Sequence, residues 1–285
     1  MEINRKVNIM KKVLIIVIFV IVLIGFISLG MILSKNNKNY NFKIHFFAAG
    51  KADAILINYN NKYIMIDTGE QSLSDEILKY FKNNNIDKLD YLIITHFDKD
   101  HVGSASKIID DLEIDNIFQS NYPKDSEYYT NYLNSLSKKN ITPETIVNDK
   151  EFTVDELNIK IYGPKKVYDK NESNNSSLIT SVIYNNNSFL FMGDAQNARI
   201  KDFLEEDNNS SYDFLKVPYH GRYLKRFDDL LDGRNIKYAV ITSSDKEGED
   251  NQTIESLDNN NIHYYLTRNG QIDILSDGKN IKVNQ

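Results

Sequence analysis

Tyr91-Leu92-Ile93-Ile94-Thr95-His96-Phe97-Asp98-Lys99-Asp100-His101 places four metal-capable side chains within six residues, directly after an apolar run. Tyr91 to Ile94 reads as the end of a buried strand, and the polar segment that follows is hard to explain by packing. Imidazoles and carboxylates are too polar to be buried without partners. Two carboxylates so close to two imidazoles are best reconciled by a cation between them. Read alone, His-x-Asp-x-Asp-His points to a divalent metal site with room for two ions; a solvated turn is the bland alternative.

Three other segments end strand-like runs in polar groups. They are Ile64-Met65-Ile66-Asp67-Thr68-Gly69, Leu190-Phe191-Met192-Gly193-Asp194-Ala195 and Phe214-Leu215-Lys216-Val217-Pro218-Tyr219-His220-Gly221. A strand fixes the backbone and the loop after it exposes the side chain, so strand ends suit ligand groups. Each segment also has a plain structural reading. Asp67 and Asp194 would serve as turn or N-cap residues, and His220 as a hydrogen-bonded surface histidine.

Around these motifs the pattern alternates strand and helix. Strands are predicted at Phe42–Ala48, Asp53–Tyr59, Lys62–Ile66, Leu89–Ile94 and Ile114–Phe118. Later strands are expected at Leu157–Tyr162, Leu178–Tyr184, Ser188–Met192, Phe214–Pro218, Lys237–Thr242, His263–Thr267 and Gln271–Leu275. Helical spacing covers Ser74–Asn83, Gly103–Asp111, Asp125–Lys139, Ala195–Glu206, Arg222–Leu231 and Asn251–Asp258. No Pro, Gly or Ser linker splits the region. Two β-rich halves, each with helices, predict one α/β domain over residues 41–285, with two packed sheets and helices outside.

The first 40 residues differ in kind. Val13 to Leu33 is apolar and uncharged, long enough to span a bilayer as a helix. Arg5, Lys6, Lys11 and Lys12 precede it, against one acid, Glu2. This predicts a cytoplasmic segment 1–12, a single-pass transmembrane anchor 13–33, a polar linker 34–40 and an extracytoplasmic domain at the cell membrane. A cleaved signal peptide is disfavoured, because the run is long for one and no Ala-x-Ala site follows.

The chain has no cysteine, which excludes disulfides, thiolate zinc sites and a lipidated cysteine. Of its 34 basic and 40 acidic residues, four basic and one acidic precede residue 35, leaving about −9 beyond it. No constitutive basic stripe for nucleic acid is evident. Attraction for a phosphate substrate would come from bound metal and a few local cations.

Taken in order, these motifs resemble the metallo-β-lactamase superfamily, and within it the hydrolase domain of ComEC-type competence DNA-uptake proteins. The resemblance runs from about Lys43 to Ile274. Besides the metal motif His96–Gly103, it rests on Ile66-Asp67-Thr68-Gly69, Gly193-Asp194-Ala195, Tyr219-His220-Gly221, Asn174-Asn175-Ser176-Ser177-Leu178, Asn269-Gly270-Gln271-Ile272 and the turn Gly50-Lys51-Ala52-Asp53. It implies a four-layer αββα sandwich and a centre for two divalent ions, Zn2+ or Mn2+. His96 and Asp98 would ligate one ion, Asp100, His101 and His220 the other. Asp194 would bridge them, and Asp67 would orient ligands from behind. An Asp at 98 makes the first pocket richer in oxygen, which moves preference from zinc alone towards zinc or manganese.

Three departures from the family pattern stand out. No His lies between His101 and His220, so the first ion lacks the further imidazole that many members of the family supply; Ser176, Asn175 or a water would substitute. The His-His-Gly motif has become Tyr219-His220-Gly221, followed by Arg222 where Ser is common. Tyr219 is therefore a candidate substrate contact and Arg222 a candidate phosphate clamp, each against a reading as a packed or solvated residue. The first turn lacks one Gly, which leaves Lys51 and Asp53 as site neighbours. His45 and His263, outside the motifs, read as structural.

The expected activity is hydrolysis of a phosphoester by a hydroxide held between the metals, with Asp100 in the reaction. The expected substrate is a nucleic acid or a smaller nucleotide. Two alternatives are a lactone, β-lactam or thioester substrate on the same site, and an idle, metal-stabilised binding domain at the cell surface.

Overall fold

A computed structural model of the chain describes residues 17–25, 40–170, 172–207 and 211–285. Residues 17–25 form helix α1, whose apolar side chains are exposed. Most of the expected anchor at 13–33 lies outside the described residues. Among those described, no helix is long and apolar enough to cross a membrane. Residues 40–285 form a separate compact unit.

That unit contains two sheets. The first has the order β15-β14-β1-β2-β3-β4-β5-β6. Its strands are β1 (Phe42–Phe46), β2 (Ala54–Tyr59), β3 (Lys62–Thr68), β4 (Lys88–Ile94), β5 (Glu113–Ser120), β6 (Glu144–Ile146), β14 (Ile272–Ser276) and β15 (Ile281–Asn284). The second runs β13-β12-β11-β10-β9-β8-β7. It comprises β7 (Lys150–Val154), β8 (Leu157–Tyr162), β9 (Ile179–Tyr184), β10 (Asn187–Phe191), β11 (Phe214–Lys216), β12 (Tyr238–Ile241) and β13 (His263–Leu266). Strands β3 to β6 are mutually parallel, as are β10 to β13.

Alternation along the strands builds the layers, because successive side chains point to opposite faces. Ile55, Ile57, Ile64, Ile66 and Ile93 face Ile159, Val182, Phe189, Phe191, Phe214 and Val240 in a core between the sheets. Their neighbours Leu56, Met65, Leu92 and Ile94 turn outward. They pack with Ile77 and Phe81 of α2 (Ser74–Asn83), Val102 of α3 (Lys99–Val102), Ile108 of α4 (Ala105–Asp111) and Tyr132 and Leu136 of α5 (Glu127–Lys139). On the opposite side Leu190, Leu215, Ala239 and Ile241 pack with Ile200 and Phe203 of α7 (Asn197–Glu206), Leu230 of α8 (Phe227–Leu231) and Leu257 of α9 (Asn251–Asn259). Helix, sheet, sheet and helix thus form four layers.

The partition between sheets differs from two sequential halves. β14 returns across the molecule to pair antiparallel with β1, Ile44 opposite Ile274, and β15 extends the same edge. His45 on β1 meets Asp273 on β14 through Nδ1 at 2.6 Å, a cross-strand contact that explains a buried His outside the metal motifs. The expected helix at Arg222–Leu231 is helical only from Phe227. The one expected from Gly103 begins at Ala105, after the separate turn α3. Gly103 joins the two under tight constraint. A Cβ there would lie 2.4 Å from Lys99 O and 2.6 Å from Gln71 N, so only glycine lets this turn rest on the loop after β3.

Candidate metal centre

The polar segments after β3, β4, β10, β11 and β12 converge on one point. Asp67, in β3, takes a left-handed backbone at φ 54, and Tyr219 and His220 follow at 51 and 53. Asp tolerates that region, but for Tyr and His it costs roughly 1–2 kcal/mol each. Strain of this kind persists where the surroundings over-determine it.

His101, fully buried, is held from behind. Its Nδ1 donates to Asp67 Oδ2 at 2.8 Å. Asp67 also accepts from Thr95 N at 2.8 Å and Thr95 Oγ1 at 2.6 Å, and Thr68 Oγ1 donates to His101 O. His220 is oriented in the same manner. Thr242 Oγ1 donates to Asp53 Oδ1 at 2.6 Å, so its lone pairs and those of Thr242 O face His220 Nδ1 at 2.9 and 3.1 Å. The Thr95 hydroxyl, already donating to Asp67, likewise presents a lone pair to His96 Nδ1 at 3.1 Å. In all three rings the proton therefore belongs on Nδ1, which leaves the Nε2 lone pair aimed into the site.

What those lone pairs meet is the test of fit. His101 Nε2 and His220 Nε2 lie 3.3 and 3.2 Å from Asp194 Oδ1, and His220 Nε2 lies 3.5 Å from Asp100 Oδ2. His96 Nε2, His101 Nε2, His220 Nε2 and Asp194 Oδ1 are buried and make no hydrogen bond. Each such orphan costs about 1–3 kcal/mol unless something compensates it. Imidazole lone pairs facing a carboxylate oxygen are compensated by a cation, and nitrogen with oxygen donors suits a divalent metal. The ligand atoms of His96, His101 and Asp194 lie within 4.8 Å of one another, as do those of Asp100, His101 and His220. The residues present fit a metal.

Without an ion, the carboxylates and imidazoles compensate one another by charge. Burial alone would raise the Asp194 pKa, but His220 and His101 outweigh it and hold the carboxyl well below its usual range. Asp100 is held low against burial by the nearby imidazoles of His220, 3.5 Å away, and His101. Burial would lower His101, yet Asp194 and Asp67 raise it well above its ordinary value. His96 is opposite: burial first, then His101, lower it to about 3. It is a neutral ligand at any physiological pH.

Asp53, from the turn between β1 and β2, does more than neighbour the site. Its backbone N donates to Asp100 O and its carbonyl accepts from Gly69 N. Its carboxylate forms a short ion pair with the fully buried Lys216 ammonium. Burial would raise Asp53, and Lys216 together with His220 and His101 outweighs that and keeps it charged. Lys216 Nζ also donates to Gly193 O at 3.1 Å and stands 4.0 Å from Asp194 Oδ1. Sequence reasoning passed over Lys216; the available signal was a charged residue inside an otherwise apolar strand.

Asp98 sits apart from this network. Its Oδ1 is 3.8 Å from His96 Nε2 and accepts from Lys124 Nζ at 2.5 Å and, at short range, from Ser173 Oγ. Ser177, not Ser176, presents a hydroxyl near His96, 3.4 Å from Nδ1. It also accepts from Asp194 N. Ser176 supplies only a carbonyl, to Ser120 Oγ. Arg222 is engaged elsewhere: its guanidinium pairs with Asp250 at 3.0 Å on the surface and reaches Gly248 O. It braces the loop before α9 and is not a free phosphate clamp. Tyr219 lines a cleft of about 370 Å3 with Tyr122, Lys124, Ser173, Asn174 and Gln196. Larger hollows, of about 510 and 630 Å3, lie on β7–β9 and beside α2, and contain none of the metal-site side chains.

Comparison with known proteins supports the same reading. The chain is 24% identical over 178 residues to ComE operon protein 3 of Bacillus subtilis, which covers 60% of this chain and 22% of that protein. It is 26% identical over 248 residues to Recombination protein 2 of Haemophilus influenzae, covering 84% and 28% respectively. The match thus spans about a quarter of each of these longer relatives. Among solved structures, the metallo-beta-lactamase fold protein YhfI of Bacillus subtilis superposes with a TM-score of 0.54 at 9% identity, over 85% of this chain and all of that one. The metallo hydrolase Igni18 of Ignicoccus hospitalis gives 0.51 at 15% identity, over 86% and 98%. At such identities the likeness is one of fold. The family model of the Metallo-beta-lactamase superfamily matches residues 48–242, and the chain belongs to that superfamily of metal-dependent hydrolases.

Proposed function

We propose that the domain hydrolyses a phosphodiester, in nucleic acid or in a smaller nucleotide. The observation that carries the reading is the convergence of His101 Nε2, His220 Nε2 and Asp194 Oδ1, buried and unpartnered, beside a cleft where Lys124, Asn174 and Tyr219 stand with Asp125 and Glu172. His96, Asp100, His101, Asp194 and His220 would hold divalent metal, with Zn2+ and Mn2+ the ions suited to this mixed nitrogen and oxygen set. When bound, such an ion supplies Lewis acidity and makes water a nucleophile near neutral pH.

The chain's own groups do the rest. Asp67 and Thr242 fix His101 and His220 so that neither ring turns during the reaction. Asp100, kept ionised, is available to take a proton from an attacking water at a carboxylate oxygen. Lys124 and Asn174 line the cleft where anionic oxygens of a phosphoryl group would lie, and Tyr219 lines it where its hydroxyl would meet them. The phosphodiester assignment is further supported by the likeness to a protein named for recombination. That support is analogy. The apolar run 13–33, with its basic flank, supports a membrane anchor with the domain outside the cytoplasm. Protease accessibility of residues 40–285 on intact cells tests that arrangement.

The activity is tested by offering the full chain, in detergent, bis-p-nitrophenyl phosphate, single- and double-stranded DNA, a chromogenic lactam and a lactone, with Zn2+ or Mn2+. Phosphodiester turnover lost on chelation and restored by metal is expected. Lactam or lactone turnover alone would replace the substrate class. Turnover of nothing by a folded, metal-loaded chain would leave a binding domain.

A further inference from the structure

Three carboxylates, Asp98, Asp100 and Asp194, approach the Nε2 atoms of the centre, and one of them already has a countercation. Among the described residues, Asp100 and Asp194 have no ammonium within hydrogen-bonding distance; Lys216 stands 4.0 Å from Asp194 and is paired with Asp53. Asp98 differs. Its Oδ1, the oxygen 3.8 Å from His96 Nε2, takes both the Lys124 ammonium at 2.5 Å and the Ser173 hydroxyl.

Lys124 and Ser173 come from separate places, the loop between β5 and α5 and the short helix α6 (Glu172–Asn175). Both line the cleft beside the centre. Their hold on Oδ1 leaves Oδ2 as the Asp98 donor, and the ammonium already there offsets the negative charge that would draw a second cation. The remaining donors do not make up for it. The ligand atoms of His101 and Asp194, within 4.8 Å of that of His96, also serve the other side: His101 groups with Asp100 and His220, and Asp194 Oδ1 lies 3.2 Å from His220 Nε2. Ser177, the hydroxyl from the segment where another imidazole would fall, meets His96 at Nδ1 and not at Nε2.

We propose that Lys124, seated by Ser173, is the built-in countercation of Asp98. The chain then takes one divalent ion tightly, through Asp100, His101, Asp194 and His220. It admits a second beside His96 weakly while the ammonium stays paired with Asp98. Lys124 is a specificity-determining residue for metal stoichiometry. This rests on the metal-centre reading but not on the phosphodiester assignment.

The test counts bound metal, not turnover. Metal-free full chain in detergent is titrated with Zn2+ by calorimetry, and ions retained after desalting are counted by elemental analysis. The wild type is expected to retain one ion and to bind a second at least about tenfold more weakly. Lys124→Met is expected to tighten the second ion by about 10–100-fold with the first unchanged, Ser173→Ala to do so less, and Lys124→Arg to keep the wild-type pattern. Lys124 is 36% exposed and outside the core, and a melting curve of each metal-free variant checks the fold. Two ions of equal affinity in the wild type, or a second ion indifferent to Lys124→Met, would overturn the proposal while leaving the hydrolase reading intact. Retention of no ion at all would overturn both.

Discussion

His101 and His220 are each locked at Nδ1 by an acceptor that is itself held, Asp67 through Thr95 and Thr242 through Asp53. His96, on the other side of Asp194, has only the Thr95 and Ser177 hydroxyls at 3.1 and 3.4 Å, and its companion Asp98 turns toward Lys124. The first region is sealed by buried charge, with Lys216 and Asp53 both almost fully excluded from water. The second borders an open cleft. A ligand set fixed before binding loses less freedom when the ion arrives. The contrast therefore implies that the two sides hold metal with different strength and that they can be disturbed separately.

The largest effect should come from removing the atom both sides share. Asp194→Ala is expected to abolish metal retention on both sides and to lower turnover by about a thousandfold or more, measured by elemental analysis and steady-state kinetics. Lys216→Met attacks the sealed side through its buried pair. It leaves the Asp53 carboxylate buried without its partner, and denaturant melts should show a loss of about 3–5 kcal/mol. Asp67→Asn keeps the shape but weakens the brace on His101; the tightly held ion should bind about 10–100-fold more weakly by calorimetry, with the second ion less affected. Asp98→Asn acts on the open side, so the tightly held ion should change by no more than about twofold. If Asp67→Asn and Asp98→Asn weakened the same ion equally, the distinction between the two sides would fail. Arg222→Met should be the mildest, with no measurable loss of turnover, because its partner is the exposed Asp250.

Much of the site is legible in the sequence because its donors sit at strand ends. Asp67, His96, Asp98, Asp100, His101, Asp194 and His220 follow apolar runs whose period announces a strand, and the structure brings all but Asp98 into one network, with Asp98 at its edge. What stays hidden is the partnering. A Lys in a strand reads as solvated, and nothing local marks Lys216 as the countercharge of Asp53, far behind it in the chain. Thr242 and Ser177 read as ordinary strand-end hydroxyls for the same reason. The short strands β6 and β7 and the C-terminal β15 escape pattern reading because three to five half-exposed residues have too little periodicity. β14 was legible as a strand, but not its place beside β1.

The chain by itself determined the layers and the donors. Alternation assigns each strand residue to the inner or outer core, and the residue types and spacing at the strand ends supply nitrogen and oxygen ligands without sulfur. Only the tertiary structure decided which nitrogen of each imidazole faces the centre and which carboxylate is already neutralised. Those outcomes depend on hydrogen-bond partners from distant segments: Thr242 and Asp53 behind His220, Lys124 and Ser173 on Asp98. Orientation and charge pairing are short-range in space, and distance along the chain does not encode them.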